Sequence, residues 1–207
     1  MRPVVLLGAG GHAKVVVAAC LAQGVPVLAL VSDDPKSHGT TVMGIEVVEE
    51  GDLIARFPEA AFAIAIGNNR VRKQISERLD LPWATIMHPS VIVEPGAAIG
   101  EGTVVLAGAI VQPDAIIGRH VILNTGCSVD HDARVGDFSH VAPRAALAGG
   151  VILGEGVLFG CGACTTPYIE VGDWASIGAG AAVVDKIAMG TTAVGVPARP
   201  LERYNGR

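Results

Sequence analysis

Val129-Asp130-His131-Asp132-Ala133-Arg134-Val135-Gly136-Asp137-Phe138-Ser139-His140-Val141-Ala142-Pro143-Arg144-Ala145-Ala146-Leu147 sets a valine or leucine at every sixth position. The beat runs back through Leu123, Ile117, Val111, Val105 and Ile99 to Val93. It runs on through Leu153, Phe159, Thr165, Val171 and Ile177 to Val183, with Thr165 its one polar member. A period of six suits neither an α-helix, at about 3.6, nor an ordinary strand, at about 2, so it marks a structural repeat. A left-handed parallel β-helix satisfies it: three short flat strands make a coil of eighteen residues, and every sixth side chain enters a narrow prism. Each such side chain stacks on its counterpart one coil away, at roughly 4.8 Å. Two residues before each ladder position the corner favours small side chains, among them Ala109, Ala115, Ala133, Ala145 and Ala181.

Upstream of the ladder the texture changes. Residues 4–7 read as a buried strand that runs into Gly8-Ala9-Gly10-Gly11-His12 and a helix over 13–22. A second strand over 25–31 ends in Ser32-Asp33-Asp34-Pro35. A looser segment follows, then a helical stretch over 49–56. A third strand over 62–66 ends in Gly67-Asn68-Asn69, ahead of a charged helix over 71–79. Strands alternating with helices predict a small parallel βαβ sheet. The fold class expected is therefore an α/β N-terminal domain, 1–87, joined near His88-Pro89 to a left-handed parallel β-helix of hexapeptide repeats, 88–207, with a short turn-rich tail.

The 207 residues carry a net charge of −5, with 17% charged residues. This is no basic footprint for a nucleic acid, and no polybasic stretch offers itself to an anionic membrane. The apolar residues are spread through repeats, so no membrane-spanning helix is expected. The start, Met1-Arg2-Pro3-Val4-Val5, runs straight into the first strand without a small-residue cleavage site. Four cysteines (Cys20, Cys127, Cys161 and Cys164) are too few for a disulfide scaffold. A cytoplasmic protein is the expectation.

In open parallel sheets ligands bind beyond the carboxyl ends of the strands. Gly8, Gly10 and Gly11 allow close backbone approach there, and the following helix offers free N–H groups to a phosphate. Asp33 and Asp34 stand ready to accept hydrogen bonds from a ribose or a base, and Gly67-Asn68 adds amide donors. Gly8 to Ala13 fits G-x-G-x-x-A, with Asp33 downstream, but about 85 residues hold little more than one half of a dinucleotide site. One nucleotide is the better reading than two, and a turn used only for packing is the alternative. Among six histidines, His38, His88 and His120 read as solvated, while His12 lies in the Gly-rich turn. His131 follows inward-facing Val129 by two residues, so it projects from a coil edge. One coil later stand Gly149 and Gly150, leaving room for a substrate and an N–H for a developing oxyanion. Asp130 and Asp132 flank the imidazole, and a carboxylate on one ring nitrogen raises the basicity of the other; a solvated surface turn is the alternative. His131 and His140 are half a coil apart, so they meet only across a subunit contact, such as a threefold seam between flat prism faces. Cys161-Gly-Ala-Cys164 is a lone pair without further ligands, so no metal site is expected. The ladder glycines, Gly178 among them, serve tight turns for the most part.

Taken together, Gly-Ala-Gly-Gly-His at 8–12, Ala63-Ile64-Ala65-Ile66-Gly67-Asn68-Asn69, Ile122-Leu123-Asn124-Thr125, His131-Asp132, Gly136 to Val141 and Gly195-Val196-Pro197-Ala198-Arg199 resemble a known family. They are similar to the bacterial nucleotide-sugar N-acetyltransferases of the hexapeptide-repeat class, which act on UDP-4-amino-4,6-dideoxy sugars or GDP-perosamine, and more distantly to sialic acid O-acetyltransferases. The resemblance covers nearly the whole chain. It implies a homotrimer that uses acetyl-CoA as co-substrate and a nucleotide sugar as acceptor. It implies His131 as general base, Asp132 as its orienting acid (Glu in the bacillosamine enzymes), and Asn124 and His140 beside acetyl-CoA and the amine. Gly149 then faces the thioester carbonyl, and Gly178 is a further cofactor contact. Gly10, Gly11, His12, Asp33, Asp34, Gly67 and Asn68 hold the nucleotide.

The expected reaction is direct attack of the sugar amine on the thioester, with no acetyl-enzyme. Sugar O-acetylation is the alternative on the same residues. A γ-carbonic-anhydrase-like zinc enzyme, which needs three converging histidines, and a nucleotide-sensing scaffold without catalysis complete the readings.

Overall fold

The structure is a computed structural model and describes residues 2–201; the last part of the expected tail, 202–207, lies outside them. Val4–Leu7 forms β1, with all four side chains buried. It pairs in parallel with β2 (Val27–Ser32) on one side and, through the chain crossing back, with β5 (Ala61–Ile64) on the other. Between β1 and β2 lies α1 (Gly11–Gln23), which buries Ala13, Val16, Val17, Ala19 and Cys20. Gly24 ends it at φ 73°, a left-handed geometry that glycine adopts at little cost, and returns its N–H to the carbonyls of Cys20 and Leu21.

The segment read as loose, and the helix expected over 49–56, differ from that reading. Thr41–Val42 (β3) and Ile45–Glu49 (β4) form an antiparallel hairpin, and β4 joins β2 in parallel. Met43 and Gly44, both at positive φ, make the turn. Only Leu53–Arg56 (α2) is helical, capped by the Asp52 carboxylate accepting from Ala55 N–H. Val47 and Val48 are buried side by side, so burial between neighbouring strands outweighed a helix-like pattern of charges. The sheet order is β3-β4-β2-β1-β5. Asn69–Arg78 (α3) closes the lobe, with Asn68 as its N-cap.

The ladder folds as its period predicts, with parallel strands in register at a spacing of one coil, for example Ile110↔Ser128 and Ser128↔Ala146. The first face carries Ile86–Met87, Val104–Val105, Ile122–Leu123, His140–Val141, Leu158–Phe159, Ser176–Ile177 and Thr192–Val194. The second carries Ile92–Val93, Ile110–Val111, Ser128–Val129, Ala146–Leu147, Cys164–Thr165 and Ala182–Val183. The third carries Ala98–Ile99, Ile116–Ile117, Arg134–Val135, Ile152–Leu153 and Glu170–Val171. Ile86–Met87 already pairs with Val104–Val105, so the prism begins just ahead of His88. From Val105 onward the apolar ladder residues are buried, and Val93 at the open end is 42% exposed. Polar residues in the prism are satisfied rather than tolerated. Thr165 Oγ1 accepts from Ala148 N–H at 2.9 Å, and the corner hydroxyl of Ser139 donates to Gly154 O and accepts from Val157 N–H.

The N-terminal lobe packs on the first face. One continuous core joins Val16, Val17 and Cys20 of α1 with Ile86, Val104 and Leu106 of the prism. His120, read above as solvated, is instead fully buried in this seam. Its ring stacks on Phe138 with centroids 5.5 Å apart and meets Trp83 edge-on at 4.9 Å. The turn that looked charged and open in the sequence lies under the neighbouring lobe.

Candidate functional site

A cavity of about 660 Å³ opens at the carboxyl ends of β1, β2 and β5, lined by Gly8 to His12, Ser32 to Asp34, Ile66, Gly67 and residues of α3. Two kinds of glycine border it. A Cβ on Gly8, at φ 124°, would meet Ile66 Cγ1 at 2.7 Å, so this glycine permits close packing of β1 on β5. Gly10 and Gly11 have nothing within 4 Å of an added Cβ; their missing side chains leave space for a ligand and are not needed for packing. Gly10 precedes α1 without a side-chain cap, and no acidic residue occupies the first turn. The helix N-terminus therefore keeps free N–H donors for an anion.

Asp33 and Asp34 are exposed at the cavity wall, although Asp34 Oδ1 also accepts from Lys36 N–H at 3.0 Å. Asn68 spends its side-chain oxygen on the amides of Arg70 and Val71, so it orders the turn through capping. Glu50 and Arg78, both missed in the sequence, form an ion pair at the cavity edge, with one contact at 2.9 Å. The guanidinium holds the Glu50 carboxyl below the usual carboxylate range. A helix residue and a strand-end acid far apart in sequence carried no signal of this pairing.

At the mouth toward the prism the rings of His12 and His140 lie 6.1 Å apart. Asn124 Nδ2 stands 2.9 Å from His140 Nε2 and donates to it when that nitrogen carries no proton. Burial, then the Arg72 charge, brings the pKa of His12 down to about 4. His140 is also lowered to about 4, by burial, then Arg72, then His12. Both rings are neutral at pH 7, which suits the Asn124 contact. Asn124 follows the strand Ile122–Leu123, so it stands on the edge between the first and second faces, as does Gly178 three coils on. The Gly178 amide is paired with Ala193 O, and an added Cβ would meet Val194 Cγ1 at 2.7 Å. Gly178 therefore lets the last coil pack closely.

His131, Asp132 and Gly149 form a separate group on the edge between the second and third faces. The His131 side chain is 54% exposed, and its Nδ1 lies 2.8 Å from Asp132 Oδ2. Asp132 stands at φ 59°, a conformation that brings its carboxylate back to the preceding ring. That hydrogen bond, ahead of the Asp130 charge, raises the His131 pKa above the ordinary value. The imidazole lies directly over Gly149, where an added Cβ would stand 2.6 Å from both Cε1 and Nε2. Gly149 is buried beneath the ring, and its N–H has no acceptor among the described residues. Within one chain His131 occupies the edge opposite the first face, so it is remote from the cavity, His12 and His140. Among the described residues no group of three or more His, Cys, Asp or Glu is arranged to hold a metal, and no helix is long and apolar enough to cross a membrane.

A sequence model of the PglD N-terminal domain matches residues 3–79. Over the whole chain the structure superimposes on the acetyltransferase domain of PglB from Neisseria gonorrhoeae FA1090 with a TM-score of 0.90 and 36% identity, covering 97% of this chain and 100% of that one. The chain belongs to the PglB-like sugar acetyltransferase family. PerB from Caulobacter crescentus, solved with CoA and GDP-perosamine, is 39% identical with a TM-score of 0.90, covering 97% of each chain. The UDP-N-acetylbacillosamine N-acetyltransferase of Bacillus subtilis is 44% identical over 118 residues, 52% of each chain. The matched stretch thus spans about half the length of that curated relative. The fold of this acetyltransferase family member joins the α/β lobe expected from alternating strands and helices to the parallel β-helix expected from the six-residue beat.

Proposed function

We propose that the protein transfers the acetyl group of acetyl-CoA to the amino group of a nucleotide-linked amino-deoxy sugar, of the UDP-4-amino-4,6-dideoxy or GDP-perosamine type. The observation that carries this reading is the His131 imidazole, held through Nδ1 by Asp132 and laid over the bare Gly149, with Nε2 left without a protein partner among the described residues. The N-terminal lobe, 1–87, holds the nucleotide: its diphosphate on the α1 N-terminus at Gly10 and Gly11, its ribose and base toward Asp33, Asp34, Gly67 and Asn68. The β-helix, 88–207, holds acetyl-CoA. The binding of CoA and GDP-perosamine by PerB supports this division.

His131 takes the proton from the sugar amine as nitrogen attacks the thioester carbon. The C–S bond then breaks, and CoA leaves as the thiolate that is protonated to the thiol. General-base help of this kind is worth about 10²–10⁴-fold. Cys161 and Cys164 are exposed free thiols, with no histidine hydrogen-bonded to either among the described residues; the attack is direct, with no acetyl-enzyme.

One chain keeps the two halves of this site apart, and a homotrimer unites them. The outward residues of the second face are Ile92, Ile110, Ser128, Ala146, Cys164 and Ala182, a row without charge, whereas the third face carries Arg134 and Glu170. Packing the uncharged faces about a threefold axis brings the Asn124 edge of one chain to the His131 edge of the next. His12, Asn124 and His140 of one subunit then meet His131, Asp132 and Gly149 of its neighbour across the bound substrates. Dependence on acetyl-CoA fits the cytoplasmic setting expected above.

The test is a panel of UDP-, GDP- and dTDP-linked amino and hydroxy sugars incubated with acetyl-CoA, with CoA thiol release and product mass both recorded. One amino sugar is expected to gain a single acetyl group on nitrogen. Acetylation confined to hydroxyls, or no transfer to any member, overturns the proposal.

A further inference from the structure

Among the described residues Arg72 is the largest fully buried side chain, 1% exposed, and none of its hydrogen-bond partners there is a carboxylate. Its guanidinium spends its donors on neutral oxygens. Nε donates to His120 O at 2.7 Å, and Nη1 to Ile66 O at 3.1 Å. Nη2 donates to Asn69 Oδ1 at 2.9 Å and to Phe138 O at 2.6 Å, with Ser139 O at 3.3 Å. Asn69 in turn donates to Gly156 O and Val157 O at 3.0 and 3.2 Å. The carbonyls of residues 120, 138 and 156 recur one coil apart on one edge of the prism, so Arg72 and Asn69 together grip three successive coils.

The two ends of this grip are chemically distinct. Ile66 and Asn69 bracket the Gly67-Asn68 turn, whose Gly67 lines the cavity at the strand ends and whose Asn68 lines a smaller pocket beside it. Phe138 and Ser139 lead directly into His140, which contacts Asn124. A buried charge without a counter-ion is costly. An apolar residue would serve ordinary packing between two lobes, and the lobes already share an apolar core. What only a planar fork of five donors supplies is simultaneous, directional bonding to carbonyls on both sides of the seam.

We propose that Arg72 is a positioning residue of the transfer site: its guanidinium registers the nucleotide-holding turn against the coil that carries His140, and so sets where the amine lies relative to the thioester. This rests on the acetyltransferase reading. The bound sugar is held by the lobe, while the acetyl donor is held by the prism, so a slip at the seam shifts one reactant against the other without emptying either site. A misplacement of about 1 Å can cost about 10²-fold in rate.

The test is steady-state kinetics of Arg72→Lys and Asn69→Ala, with folding checked by circular dichroism and trimer content by light scattering. Lysine keeps the charge and loses the fork. Asn69→Ala keeps the guanidinium and removes its partner, so it reports on the clamp even if Arg72→Lys does not fold. The expected result is a kcat at least about tenfold lower in the folded Lys variant, with a smaller fall for Asn69→Ala, while KM for acetyl-CoA stays within about twofold of wild type. Wild-type kcat in the folded variants, or a fall matched by lost folded protein alone, overturns the proposal. Failure of the wild type itself to acetylate any sugar of the panel is a separate outcome, which sinks the acetyltransferase reading and, with it, the transfer role of the clamp.

Discussion

At the scale of single residues the chemistry turns on contacts a sequence shows only in part. The coil arithmetic that put Gly149 beside His131 was legible because the repeat has no insertions, and the ring does lie over that glycine. A methyl group there meets the free end of a side chain, not backbone, so Gly149→Ala should fold normally. The imidazole must move aside, and we expect kcat to fall by about 10²-fold with the melting temperature nearly unchanged; retention of full activity would show that the ring position is irrelevant. Asp132 makes a second prediction. The proposed base, His131, works only when neutral, and its raised pKa predicts that activity fails on the acid side at a pH above the ordinary histidine value. In Asp132→Asn the first cause of that shift is gone, so the acid limb of the pH–rate profile should move to lower pH while the plateau falls. A limb that stays in place would separate His131 from the titration. The tight coil turn at Gly178 was legible from the repeat, whereas the capping of α3 by Asn68 was not, because a cap depends on neighbours that spacing does not name.

The elements were legible where their period was. The ladder fixes inward and outward residues from Val105 to Val183, whereas the β3–β4 hairpin escaped notice because its strands are short and its apolar residues adjoin. The seam between lobe and prism could not be read at all. Arg72 looks like one more charge on an amphipathic helix, and His120 like a surface turn; both are buried only because another element covers them. Neither His120 ring nitrogen has a partner among the described residues, and burial, ahead of the Arg119 and Arg72 charges, lowers its pKa to about 4. In the unfolded chain the same ring titrates near 6.5, as do His12 and His140, which are also lowered to about 4 in the fold. The unfolded state therefore binds more protons between those values, so the stability these three rings contribute is fully present above about pH 6.5 and is lost progressively down to about pH 4. Replacing His120 by phenylalanine keeps the aromatic sandwich with Trp83 and Phe138 and removes the proton site. His120→Phe should melt at a higher temperature than wild type at pH 5 and lose less stability on acidification from pH 7; an unchanged pH dependence would contradict the role given to this ring.

For the whole molecule the decisive relation is between edges of the prism. The cavity belongs to the lobe that packs on the first face, and His131 stands on the edge opposite that face, so the proposed site is complete only with a second chain. Mixing two inactive proteins tests this: His131→Ala, and Gly10→Trp, whose indole fills the open space at the cavity mouth. After exchange of subunits, part of the wild-type turnover should return, because some seams pair an intact base with an intact cavity. No recovery from mixed trimers would put both halves of the site in one chain. Above all, transfer is proposed to depend on His131 as the base that accepts the amine proton. The measurement that tests it most directly is turnover of His131→Ala with both substrates saturating and their binding confirmed by calorimetry. The prediction is normal binding with kcat reduced by at least about 10²; near-normal turnover would contradict it.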